Sequence, residues 1–217
     1  MKTKTKKMKR TTAMALVAAA LATQVSGGEM ETSKVITHPS QGDKMEVAGA
    51  TARMIRHEDG VFVNFDTSGL TPGNVHTLWF VNINDPASCE TQPCTAKDVL
   101  KRTDAVSADV GYAGGVVVGA DGTASFNWHQ SEGALSGGWF TAGLIEADNS
   151  EIHLVVNDHG PVLEGRVDQM LATYRDGCTD ESIPGPMPAT ARAQGEAGPN
   201  ACRLMQFAIF QPSAPES

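Results

Sequence analysis

The sequence has no hydrophobic run long enough to cross a membrane. Its longest, Ala13 to Ala22, holds ten residues, where a spanning helix needs roughly 20. There is no C-x-x-C spacing, which disfavours a structural zinc site built from thiolates. No H-x-H pair occurs, so no strand presents two imidazoles on one face. A G-x-S-x-G nucleophile elbow is also missing. The nearest approach, "GALSGGWF", has Leu135 before Ser136 and Ala134 where a glycine belongs, and reads as a glycine-rich bend. "GYAGG" at 111–115 lacks phosphate-cradle spacing. Basic residues are scarce beyond the first ten positions. Of 17 in the chain, six lie in MKTKTKKMKR, leaving 11 against 25 acidic residues, a net charge of −14 with histidine neutral. Such a surface repels nucleic acid and anionic lipid.

What is present points outward from the cell. The basic start, the apolar run and the small residues through Ser26-Gly27-Gly28 follow the order of a secretory signal peptide, 1–27, with cleavage after residue 22 or 27. The expected location is secreted or periplasmic. All four cysteines, Cys89, Cys94, Cys178 and Cys202, lie beyond that leader. An even count in an oxidising compartment argues for disulfides. Four cysteines allow three pairings, and nearness in sequence favours Cys89–Cys94 with Cys178–Cys202.

Residues 28–43 are polar and turn-rich and read as a flexible lead-in to one domain, 44–217. Its body shows period-2 patterns broken by glycine turns, which predicts an all-β, antiparallel β-sandwich. "ATARMIRHEDGVFVNFD" reads as a hairpin turning at Glu58-Asp59-Gly60, and "VVVGADGTASFNWHQ" as a second one turning at Asp121-Gly122. "HTLWFVNIN", apolar on both faces, is expected to be a central strand. "WFTAGLI", "IHLVV" and "LMQFAIF" are further strand candidates. TAKDVLKR is the one good helix signal, with Thr95 and Asp98 forming a capping box. RVDQMLATY fits a helix or a strand. Between Cys178 and Cys202 the Pro-, Gly- and Ala-rich segment reads as a long loop, 178–202, stapled at its base.

Three kinds of site compete. A divalent-metal site, serving a metal-dependent enzyme or a metal-binding protein, would use His76, Asp158 and His159. His153 cannot join His159 on one ion unless the chain folds back at Asn157, because six strand residues span roughly 20 Å. Hydrolysis would need a nucleophile, a base and an orienting group, and no complete set is visible. A ligand-binding surface would draw on Trp139, Tyr112 and His153, with Trp139 the tryptophan expected to be partly exposed after Gly137-Gly138. In "EIHLVVNDHGP", Asn157, Asp158 and Gly160-Pro161 are expected to turn the chain out of the core. His153 would then be a hydrogen-bonded histidine between the sheets.

"SGLTPGNVHTLWFVNIND" (68–85) resembles the GLTPG stretch of exported Cu,Zn superoxide dismutases and chordin-type CHRD domains, over less than a tenth of the chain. The resemblance implies a sandwich, immunoglobulin-like or superoxide dismutase-like. Where those dismutases carry copper-binding H-x-H, this chain reads Thr77-Leu78-Trp79-Phe80, which argues against dismutation. More of the chain is similar to a group of uncharacterised exported bacterial β-sandwich proteins. The matching pieces are Leu70 to Cys94, Tyr112 to Phe126 and Glu151 to Pro161. That resemblance implies a fold and an address without a reaction. The reading favoured is a non-enzymatic binding or structural module with no cofactor, whose partner is a small molecule, a glycan or a protein.

Overall fold

A computed structural model describes residues 28–213; the predicted leader, 1–27, lies outside the described residues. Among the described residues nine strands form two antiparallel sheets. The four-stranded sheet has the order β1 (Met30–Ser33), β3 (Thr51–His57), β4 (Gly60–Thr67), β7 (Ala124–Ser131). The five-stranded sheet has the order β2 (Ile36–Thr37), β9 (Arg203–Phe210), β8 (Glu151–Pro161), β5 (Asn74–Ile83), β6 (Ala108–Val117). The expected antiparallel β-sandwich is therefore present. Both favoured disulfides, Cys89–Cys94 and Cys178–Cys202, are formed.

The first predicted hairpin is β3 turning into β4. Burial alternates along β3, so Ala52, Met54 and Arg56 point inward while Arg53, Ile55 and His57 point out. Phe65, Phe126, Leu78, Phe80, Leu154 and Phe210 fill the space between the sheets. Residues 28–43 correct the sequence reading: they are not a loose lead-in. Met30 to Ser33 pair with Ala52 to Ile55, and Ile36-Thr37 pair with Gln206-Phe207, because each stretch completes the backbone hydrogen bonding of an open sheet edge.

The second predicted hairpin is also revised. Asp121-Gly122 does form a turn, with Gly122 at φ 68° and Asp121 accepting from the backbone N–H and hydroxyl of Thr123. The turn joins β6 of one sheet to β7 of the other, so the two arms pair with β5 and β4 rather than with each other. Residues 139–145, read as a strand, are an irregular segment with Leu144 bridging only Gly133. Four short helices replace the single one expected: α1 (Ala96–Lys101), α2 (Thr103–Val106), α3 (Val167–Ala172) and α4 (Ala189–Arg192). The Asp98 carboxylate in α1 accepts the backbone N–H of Thr95, the return half of the expected capping box, and the Thr95 hydroxyl donates to it as well.

Those helices and the segments around them cover the outer face of the five-stranded sheet. A second apolar cluster lies there, built on Trp79, Val81, Ile83, Val99, Trp139 and Tyr174. The sheet is therefore buried on both sides, which explains why β5 is apolar at odd and even positions alike. The molecule has three layers, and the third is the one that shapes a site. Among the described residues no helix is long and apolar enough to cross a membrane.

Candidate functional site

The structure separates the proposed metal ligands. His76 and Asp158 are directly opposed across β5 and β8, with His76 Nε2 3.8 Å from Asp158 Oδ1. Both point between the sheets. His159, one residue further along β8, points to the opposite face, where it contacts Thr77. The strand does not turn out at Asn157-Asp158 as expected. It runs on to Pro161 through a bulge, so alternation sends neighbouring side chains to opposite faces. His76, Asp158 and His159 thus form no common site. Neither ring nitrogen of His76 has a hydrogen-bond partner among the described residues, and burial lowers its pKa. His159 does lie near the sulfurs of Cys178 and Cys202, but those are joined to each other and offer no thiolates.

His159 has a structural occupation. The indole N–H of Trp79 donates to Thr77 Oγ1 at 2.8 Å, and a tryptophan can only donate. The Thr77 hydroxyl therefore passes its own proton to His159 Nε2, 2.9 Å away. Nδ1 of the ring is left to donate to the carbonyl of Asp176 at 3.0 Å. This is a neutral imidazole with both nitrogens satisfied. Burial pushes its pKa down from 6.5 to about 4, against the pull of the Asp176 carbonyl and Asp158. Between those values the unfolded chain binds more protons than the folded one, so stability falls as pH drops from 6.5 toward 4 and is unaffected above 6.5. The loss by pH 5 should be about 2 kcal/mol. Urea midpoints at pH 7.5 and 5 should differ less in His159→Gln than in the parent; equal differences would refute this account.

The ligand-binding candidates fare better, with corrections. Trp139 is not partly exposed: it is buried, 5.3 Å from the Trp79 ring and 4.7 Å from Tyr174 in ring-centroid distance. His153 does not lie between the sheets. It points to the outer face, because it shares the parity of Trp79's register partner Val155. Tyr112 is half-buried and packs edge-on against Trp79, beside rather than within the cavity that the other two line.

That cavity is a cleft of about 570 Å³ on the outer face of the five-stranded sheet, within the range of small-molecule sites. Its floor is Trp79 and Val81 from β5, His153 and Val155 from β8, and Leu204, Phe207 and Ile209 from β9. Trp139 and Tyr174 close one part, and α1 with the Cys89–Cys94 turn closes another. The indole N–H of Trp139 has no partner among the described residues. Burial raises the pKa of Tyr174 well above the ordinary tyrosine value. At the mouth stand His38, Lys44 and Lys97; Lys97 is paired with Glu90, and the Lys44 ammonium sits 6.0 Å from the Phe207 ring centroid. The wall at α1 is firmly tied: burial opposes charge on Asp98, yet donors from Glu90, Thr95 and Arg102 hold its pKa at about 2. A second depression, about 650 Å³, lies over the outer face of the four-stranded sheet around Met30, Phe62 and His129. It is shallow, and Met30, Phe62, Asn127 and His129 stand exposed around it.

The sequence reading missed Glu151. This fully buried carboxylate accepts from the backbone N–H of Cys94 at 2.8 Å, from Gln211 Nε2 at 2.9 Å and from His153 Nε2 at 2.6 Å. The signal was available: an acid two residues before a histidine on a strand shares its face. Fold and site together define a three-layered β-sandwich carrying an aromatic cleft in its outer layer. No family model, curated protein or solved structure matches the chain.

Proposed function

We propose that this is an exported, non-enzymatic binding protein whose outer-layer cleft takes a flat, apolar small molecule. The observation that carries the reading is the cleft itself, with Trp79, Trp139 and Tyr174 clustered beside Val81, Val155, Leu204, Phe207 and Ile209 and polar groups confined to a few points. Flat rings supply large contact area to such a surface at little entropic cost. Export is supported by the basic-then-apolar start and by two disulfides, which persist in oxidising compartments. The acidic surface fits a partner other than nucleic acid.

The test uses anilinonaphthalene sulfonate, whose fused ring suits the floor and whose sulfonate suits the lysines at the mouth. The folded protein should bind one equivalent, and the bound dye should accept energy transfer from Trp79 and Trp139. Ala96 is exposed on α1 at the entrance, so Ala96→Trp should leave the fold intact and weaken binding by about tenfold or more. Near-ultraviolet circular dichroism checks the fold. Equal binding by parent and variant would overturn the reading.

A further inference from the structure

Resting on that reading, we infer that His153 is the polar recognition point of the cleft and accepts a hydrogen bond from a hydroxyl group on a neutral, flat ligand. A carboxylate only accepts, so the 2.6 Å contact between Glu151 and His153 places the shared proton on Nε2. In the neutral form of the ring, the other nitrogen, Nδ1, is then a lone-pair acceptor. It has no hydrogen-bond partner among the described residues, and the ring lines the cleft beside Val81 and Val155. Glu151 is itself fixed by Cys94 and Gln211, so the imidazole cannot readily rotate. A positioned acceptor thus stands on an otherwise hydrocarbon floor.

Three classes of donor or charge can be weighed against this arrangement. An ammonium ligand would meet Lys44, Lys97 and His38 at the entrance. An anionic group against Nδ1 would require a doubly protonated ring and would lie close to the Glu151 carboxylate. A neutral hydroxyl, phenolic or alcoholic, meets neither objection. Filling the cleft with a bare hydrocarbon would strip water from Nδ1 and leave it unpaired, which disfavours ligands lacking the donor. The ligand class is therefore a hydroxylated aromatic or fused-ring compound.

Calorimetric titration with 2-naphthol and 2-methoxynaphthalene compares one ring system with and without the donor. The protein should prefer 2-naphthol by about tenfold. In His153→Leu the two affinities should come within about threefold, with 2-methoxynaphthalene bound no more weakly than by the parent. Because His153 is tied to buried Glu151, a second measurement avoids substitution altogether. In the unaltered protein, the ¹⁵N resonance of His153 Nδ1 should shift on saturation with 2-naphthol and not with 2-methoxynaphthalene. Preference retained in His153→Leu, no preference in the parent, or an unmoved Nδ1 resonance would each overturn the inference. If anilinonaphthalene sulfonate still binds in the manner stated above, the cleft reading survives that failure. If none of the three probes binds, both fall.

Discussion

Replacing Arg56 by alanine should lower the thermal midpoint by roughly 8–16 °C, corresponding to about 4 kcal/mol. Arg56 points inward from β3 and is almost wholly buried. Its Nε donates to Glu31 on β1 at 2.7 Å, Nη1 to the carbonyls of Ala147 and Ser150, and Nη2 to the carbonyl of Gln211 at 2.7 Å. One guanidinium thus ties the four-stranded sheet to the turn entering β8 and to the chain leaving β9. Truncation strands several acceptors and a carboxylate together, and leaving buried groups unpaired costs more than the bonds themselves contribute. Arg56→Lys should recover only part of the loss, because an ammonium cannot reproduce the planar fork. Calorimetric scans of the three proteins decide it. A midpoint within about 2 °C of the parent in Arg56→Ala would refute the role assigned here.

Removing the Cys178–Cys202 link, as the double alanine variant, should cost about 3 kcal/mol, or roughly 6–12 °C in midpoint. The two cysteines are 24 residues apart, and the enclosed segment carries α4, Ile183 and Ala191 into the outer cluster. Freeing its base gives the unfolded chain more conformations and loosens the packing on Trp139 and Tyr174. Loss should therefore extend to anilinonaphthalene sulfonate binding at temperatures where the sandwich persists. The Cys89–Cys94 link spans only five positions, so its removal should cost less. A larger effect from the shorter link would contradict this ranking.

The sandwich was legible because its strands alternate, and alternation is a property of consecutive residues. β3 and β4 show it; β5, apolar on both faces, was legible instead as a central strand. What covered the second face was hidden. The outer layer comes from short helices and irregular segments without period, and Trp139 is buried by Tyr174, 35 positions away, rather than by its neighbours. The candidate site failed for a related reason. His159 was read as a candidate metal ligand because its structural partners Thr77 and Asp176 lie 82 and 17 positions distant. The second turn was legible as a turn, since Asp121-Gly122 is one. Which strands it joins depended on pairings elsewhere. Glu151 and His153 were readable from their spacing alone.

The placement of β2 beside β9 sets an order of events for the nascent polypeptide. Ile36 has Phe207 as its register mate, and the Ser33 hydroxyl reaches the carbonyl of Ile209. Within the five-stranded sheet the first and last strands in chain order are mutual neighbours, so that sheet stays incomplete until β9 has been made. Closure across so many intervening positions is a slow step. Until then β8 lacks one flank and the cleft lacks Leu204, Phe207 and Ile209, so its floor is complete only once β9 has docked.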